Sequence, residues 1–266
     1  MKVLVIGDAM QDEYLYGEST RLSPEAAVPI VAVKRTEKRQ GGAANVANNI
    51  ESMGVPVIRI FGAGEPIRKL RVLAGKQHIA RIDYDYQQVP ILPDSTFIKA
   101  LALCDMVVAV DYGRGSLANI ADLIAACGDK PVLVDPKGHD YARYRGAALI
   151  KPNRDEMREL VGGWGLREEL DRKASAFLAQ SGIAALLLTL SEGGMTLYTS
   201  AGAQHQAAEN SAPVDVSGAG EATLAAFAVA TARGLSPLPY ASRAAGLAIG
   251  RFGTVVLTKE EVFGTD

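Results

Sequence analysis

A chain of 266 residues is long enough for one large α/β domain or two small ones. Hydrophobic residues make up 48% and charged residues 22%, an ordinary globular balance, and a net charge of −2 gives no electrostatic reason to expect nucleic acid or an anionic membrane as partner. With only Cys104 and Cys127 the chain has no disulfide scaffold, and a reducing compartment is expected.

The opening MKVLVIGDAM reads as a buried strand over 3–6. Asp8 breaks the apolar run too early for a signal-peptide core, and no window is long enough for a membrane helix, so a cytoplasmic protein is expected. At the strand end Asp8 can hydrogen-bond hydroxyls, as in a sugar, or simply close a turn. Residues 14–16 with 28–34, and 71–73 with 78–84, alternate polar and apolar residues as strands do. No helices separate them, so they cannot join a parallel βαβ core. They predict a small antiparallel sheet over about 12–36 and 67–86, a lid or a dimer surface.

Between these segments the run GGAANVANN opens a helix over 42–53. Gly41 and Gly42 allow close backbone approach, and Asn45 can both donate to and accept from a polyol. Three asparagines within five residues are poor helix formers, which favours a binding role over packing alone. Further strands are expected at 57–61, 106–110, 131–135, 148–150 and 185–189, and helices at 117–126, 155–161, 166–180, 221–233 and 238–251. This alternation predicts one α/β domain over 1–266, with a mostly parallel sheet, helices on both faces and ligands at the carboxyl ends of the strands.

Several strand ends carry chemistry-bearing residues. Lys137, in DPKG, could reach a substrate or a transferring phosphoryl group. In KPNRDE, Asn153 and Glu156 form a capping-box pattern, and the same two oxygen-bearing side chains could hold a hydrated Mg²⁺ near phosphates. The turn TLSEGG, with Ser191 and Gly193, could shape a nucleotide pocket or be a plain hairpin loop. His78, His139 and His205 lack metal-ligand spacing, and Trp164 has no evident function.

The most informative stretch is DVSGAGE, which runs into an alanine-rich helix. Gly218, Ala219 and Gly220 let backbone N–H groups approach an anion at a helix N-terminus. Glu221 beside them is placed to deprotonate a hydroxyl that attacks phosphorus. The plainer alternative is a flexible helix entry with an acid complementing the dipole. No Walker loop, G-x-G-x-x-G, H-E-x-x-H or G-x-S-x-G motif occurs, so phosphoryl transfer here would run on another scaffold.

Taken in order, the N-terminal GD, GGAANVANN, KPNRDE and DVSGAGE resemble the PfkB/ribokinase family of carbohydrate kinases. Longer stretches, among them RQGGAANVANNI and VDPKGHDYARYRGAALIKPNRDE, are most similar to its branch acting on D-glycero-D-manno-heptose 7-phosphate at the anomeric hydroxyl. The resemblance covers nearly the whole chain. It implies a ribokinase-like three-layer α/β sandwich with a β-lid that often forms a dimer contact, and it implies ATP and Mg²⁺. It further implies that Asp8, Gly41, Gly42 and Asn45 hold the sugar, and Lys69, Arg71 and Arg81 its phosphate. Asn153 and Glu156 would manage Mg²⁺ and phosphates, Ser191 would line the nucleotide site, and Gly218, Ala219 and Gly220 would form the anion hole. Two features depart from the family pattern: Glu221 stands where an aspartate base is usual, and the connection at 62–68 is short. A kinase for another sugar phosphate, or a sugar- and nucleotide-binding protein without turnover, are the alternatives.

Overall fold

The computed structural model describes residues 1–75, 77–209 and 212–265. Strand β1 (Val3–Gly7) is apolar and buried throughout, because both of its faces are covered. Val3 and Val5 enter one core, Leu4 and Ile6 the other. β7 (Met106–Val110) divides in the same way, with Val108 and Val110 on one side and Val107 and Ala109 on the other. The first core is closed by α1 (Ala43–Ser52), α6 (Ala219–Ala232) and α7 (Pro237–Ile249). The second is closed by α2 (Ser95–Ala102), α3 (Ile120–Ala126), α4 (Arg154–Val161) and α5 (Arg167–Ser181). The result is the three-layer sandwich expected from the sequence.

The remaining strands of the central sheet are β4 (Val57–Phe61), β8 (Val132–Asp135), β9 (Leu149–Ile150), β10 (Ala185–Thr189), β11 (Met195–Thr199) and β12 (Gly202–Gln206). The order is β12-β11-β10-β9-β8-β7-β1-β4, parallel from β4 to β10 and antiparallel at the β11–β12 edge. The β11–β12 hairpin and α2 were not foreseen. The hairpin's polar outer strand hides its periodicity, and α2 is a short helix started by Asp94, whose side chain accepts from Thr96 and Phe97 N–H. The helix expected from 117 begins only at Ile120, because Asp8 draws the preceding turn toward itself through Ser116.

A second sheet, ordered β3-β2-β5-β6, is built from β2 (Ala9–Leu22), β3 (Pro29–Gly42), β5 (Ile67–Ala74) and β6 (Gln77–Tyr84). Its strands are longer than the sequence reading allowed, and it is not wholly antiparallel: β2 and β5 pair in parallel. The direction is inherited. β2 continues from β1 and β5 follows β4, and β1 and β4 are parallel neighbours, so their extensions leave the core side by side. Each then folds back as an antiparallel hairpin. The register puts Asp12, Lys69 and Asp83 in one cross-strand row and Tyr14, Arg71 and Arg81 in the next, on the same face. Leu15, Leu70, Val72 and Ile82 occupy the other face.

Candidate active site

The first turn of α6 is the centre of the site. Its N-cap, Gly218, has φ 75°, a conformation other residues adopt at a cost, and this opens the helix toward both halves of the crevice. A Cβ on Gly218 would lie 3.3 Å from Asn45 Nδ2, and one on Gly220 would lie 3.1 Å from Lys151 Nζ. The turn therefore stands between an amide on one side and an ammonium on the other.

Glu221 is 5% exposed. Its Oε1 accepts from Gly42 N–H at 2.8 Å and Tyr112 O–H at 2.7 Å, and its Oε2 accepts from Asn45 Nδ2 at 2.7 Å. Burial pushes its pKa up, and the three donors pull against that shift. Gly42 can supply this N–H because it has φ 60° and no side chain: a Cβ there would come within 2.4 Å of the Asp8 carbonyl oxygen. Asn45 is held by Asn49, whose Nδ2 donates to both its carbonyl oxygen and its Oδ1. Asn49 in turn bonds Val255 O and Leu257 N, so the asparagine cluster is a brace between α1 and the C-terminal segment.

Asp8 stands at the end of β1 as expected, but fully buried, and its carboxylate is already engaged. Oδ2 accepts from Tyr112 N and Arg114 N, and Oδ1 from Ser116 N and Ser116 Oγ. Those four donors fill the acceptor sites a carboxylate offers. In this structure Asp8 thus shapes the 112–116 segment that carries Tyr112.

On the lid face, Arg71 pairs with the 4% exposed Asp12, and Arg81 bonds Asp83 through Nε at 2.7 Å and Nη2 at 2.8 Å. Lys69 Nζ lies 5.2 Å from the centre of the Tyr112 ring, and burial holds its pKa below the ordinary lysine range. Gly41 leaves room for Asp12, whose Oδ2 would lie 2.6 Å from a Cβ at that position. Gly42 and Asn45 bond Glu221 and Lys69 lies near it, while Arg71 and Arg81 stand in the next cross-strand row of the same lid face.

On the other side lies a cavity of about 670 Å³. Asp135, Lys137, Lys151, Asn153, Glu156, Ser191, Ala219 and Gly220 line its polar part, and Val216, Ala245 and Ile249 belong to its apolar part. Ser191 has φ 55°. Gly193 does not face the cavity but packs on Leu190 and Arg154, and Gly194 lines the wall instead. The capping-box reading of 153–156 is realised in full: Asn153 Oδ1 accepts from Asp155 N and Glu156 N at 2.9 Å, and Glu156 Oε2 accepts from Asn153 N at 3.0 Å. Glu156 Oε1 meets Lys137 Nζ at 3.1 Å. Among the described residues no three acidic, histidine or cysteine side chains form a metal cage.

Sequence reasoning missed Lys151, Asp135, Asp12 and Tyr112. Lys151 is 4% exposed, its Nζ 2.9 Å from Asp135 Oδ1, and burial raises the Asp135 pKa against that partner. For two of them the signal was present: Asp135 and Lys151 stand at strand ends beside the motifs that carry Lys137 and Asn153, whereas Asp12 lies within β2 and Tyr112 two residues past β7.

A helix N-terminus, a buried acid and several cations meeting at the carboxyl edge of a parallel sheet define a phosphotransferase built without a P-loop. The pfkB family carbohydrate kinase pattern matches residues 96–260. The chain is 42% identical to a protein of Bordetella bronchiseptica named D-beta-D-heptose 7-phosphate kinase, covering 99% of this chain and 95% of that one. The match runs over 298 positions, more than this chain's 266 residues, so that protein carries segments this chain lacks. It is also 37% identical to the Bifunctional protein HldE of Methylococcus capsulatus, but spans only 63% of that longer chain. Its fold is similar to Arabidopsis thaliana ribokinase complexed with ribose and ATP, with a TM-score of 0.80 at 19% identity, over 98% of this chain and 97% of that one. The chain belongs to the pfkB family of carbohydrate kinases.

Proposed function

We propose that this kinase transfers the γ-phosphoryl group of ATP to the anomeric hydroxyl of D-glycero-D-manno-heptose 7-phosphate. The observation that carries the reading is the position of Glu221. It lies at the anion-binding helix terminus, between a lid face bearing Lys69, Arg71 and Arg81 and a cavity bearing Lys151. The lid cations receive the sugar's existing phosphate, Asn45 and the backbone at Gly41 and Gly42 meet its hydroxyls, and Asp8 keeps the 112–116 segment in place. Glu221 takes the proton of the attacking hydroxyl. The N–H groups of Ala219 and Gly220, with Lys151, receive the charge of the transferring phosphoryl group.

ATP fits the cavity with its base on the strip of Val216, Ala245 and Ile249, near Ser191 and Gly194, and its phosphates toward Lys151 and Lys137. Mg²⁺ would be held by those phosphates, with Glu156 and Asn153 reaching it through water; when bound, it neutralises phosphate charge. Both cysteines are free and buried, in keeping with a reducing cytoplasm. Among the described residues, no helix is long and apolar enough to cross a membrane. We assign the whole chain to one kinase unit with a lid of two hairpins. The lid's apolar outer face, with Ile82 45% exposed, suits contact with a second copy.

One observation favours a binding protein without turnover: Glu221 is tied by three hydrogen bonds. Oε2 nevertheless accepts only one of them and keeps a lone pair. A coupled ADP-release assay over a panel of sugar phosphates tests the proposal. Turnover with heptose 7-phosphate, far above that with other hexose and heptose phosphates, is expected. ATP-induced thermal stabilisation with no turnover on any sugar phosphate would favour the binding reading.

A further inference from the structure

The glutamate at 221 is one methylene longer than the aspartate usual in its family, and the structure shows where that length is used. Oε1 lies between two donors from different elements, Gly42 N–H at the start of α1 and Tyr112 O–H after β7, and those two bonds occupy its lone pairs. Among the described residues, Oε2 accepts only from Asn45 Nδ2. The two oxygens are therefore unequal, and a new proton can arrive only at Oε2.

Resting on the reading of Glu221 as general base, we infer that Tyr112 is its positioning residue: the Tyr112 hydroxyl holds Oε1 so that Oε2 alone faces the acceptor hydroxyl. In the step that follows, the acceptor O–H proton moves to Oε2 and the oxygen forms its bond to the γ-phosphorus. The bond from that phosphorus to the bridging oxygen breaks, and its electron pair leaves on ADP. Tyr112 gives up no proton. Its backbone N–H is held by Asp8, and Lys69 Nζ lies over its ring. An aspartate at 221 would hold its carboxylate about one bond length back along the same path and could not keep the Gly42, Tyr112 and Asn45 contacts together.

The charged and titratable groups around this carboxylate are Tyr112 itself, Asp12 on β2 and Lys69 on β5. Lys151, 3.1 Å from the Cβ position of Gly220, faces the same turn. Asp12 disfavours the charged carboxylate, and the Tyr112 hydrogen bond favours it. Removing the hydroxyl therefore raises the pKa of the base, and the acidic limb of the rate profile should move to higher pH.

The test compares wild type, Tyr112→Phe, Glu221→Gln, Glu221→Asp and the double variant Tyr112→Phe/Glu221→Asp. The pH dependence of kcat/KM for the sugar phosphate is read at saturating ATP·Mg²⁺, and thermal stabilisation by ATP checks the fold. Expected are a Tyr112→Phe acidic limb displaced upward, a kcat about tenfold lower with the KM for ATP unchanged, and a Glu221→Asp penalty that shrinks once Tyr112 is gone. A Tyr112→Phe limb at the wild-type pH, with strictly additive penalties, would overturn the inference while a dead Glu221→Gln left the base intact. Full activity of Glu221→Gln would overturn both. Should Tyr112→Phe not fold, a fluorotyrosine at position 112 decides instead, because its more acidic hydroxyl is a stronger donor to Oε1. An acidic limb that does not move to lower pH would contradict the inference.

Discussion

Lys151 and Asp135 form a buried ion pair, Nζ to Oδ1 at 2.9 Å, at the ends of two neighbouring strands. Lys151 N–H donates to Val134 O, so the sheet register itself delivers the ammonium to the first turn of α6. Asp135 leaves the lysine donors to spare for an arriving anion.

Lys151→Met should cost on the order of a hundredfold or more in kcat with little change in ATP binding, because the charge is needed as the phosphoryl group moves. It should also destabilise the protein by about 3 kcal/mol by leaving the largely buried Asp135 without its partner. Adding Asp135→Asn should recover much of the stability and none of the rate. Chemical denaturation and single-turnover kinetics on the same samples separate the two effects.

Lys69→Ala should raise the KM for the phosphorylated sugar by roughly 10- to 150-fold, the equivalent of one charged hydrogen bond, and leave the KM for ATP alone. The same variant should show no comparable loss toward the sugar lacking its 7-phosphate. Equal losses on both sugars would remove Lys69 from the phosphate subsite.

Gly218→Ala is expected to lower stability by about 1 kcal/mol or more, since φ is 75° and the new methyl meets Thr254 Cγ2 at 3.2 Å. Gly220→Ala needs no unusual backbone, so its fold should hold. Its methyl crowds Lys151 Nζ at 3.1 Å, and the loss should fall on kcat. Thermal melts and steady-state rates distinguish the two glycines.

Much of this was legible because local composition and tertiary environment agree. β1 and β7 are apolar on both faces and could only be internal strands. DVSGAGE combines small residues, a helix start and an acid in a way few other structures need. What stayed hidden depends on partners far along the chain. Asp8 is saturated by Tyr112, Arg114 and Ser116, 104 to 108 residues away, and nothing near Asp8 announces that. The parallel β2–β5 pairing follows from the β1–β4 order, which periodicity does not encode. Asn153 and Glu156 fitted a capping box from sequence, and its hydrogen bonds form in full.

Burial holds Asp111, Asp135 and Glu221 above the usual carboxylate range. The folded chain binds these protons more tightly than the unfolded one, so their contribution to stability is fully present below the unfolded pKa values. It is lost as pH rises through the folded ones. Activity runs the other way, because the base must be ionised: kcat/KM should fall on acidification at a pH above the ordinary glutamate value. Rate and denaturation profiles over the same pH range should therefore slope in opposite directions there.

The most direct measurement is single-turnover phosphoryl transfer from ATP·Mg²⁺ to D-glycero-D-manno-heptose 7-phosphate, followed by ³¹P NMR, for wild type and Glu221→Gln. The account predicts a new anomeric phosphate with wild type, and a rate at least a hundredfold lower with the amide. ATP left intact by wild type in the presence of this sugar, or a product formed equally fast by Glu221→Gln, would contradict it.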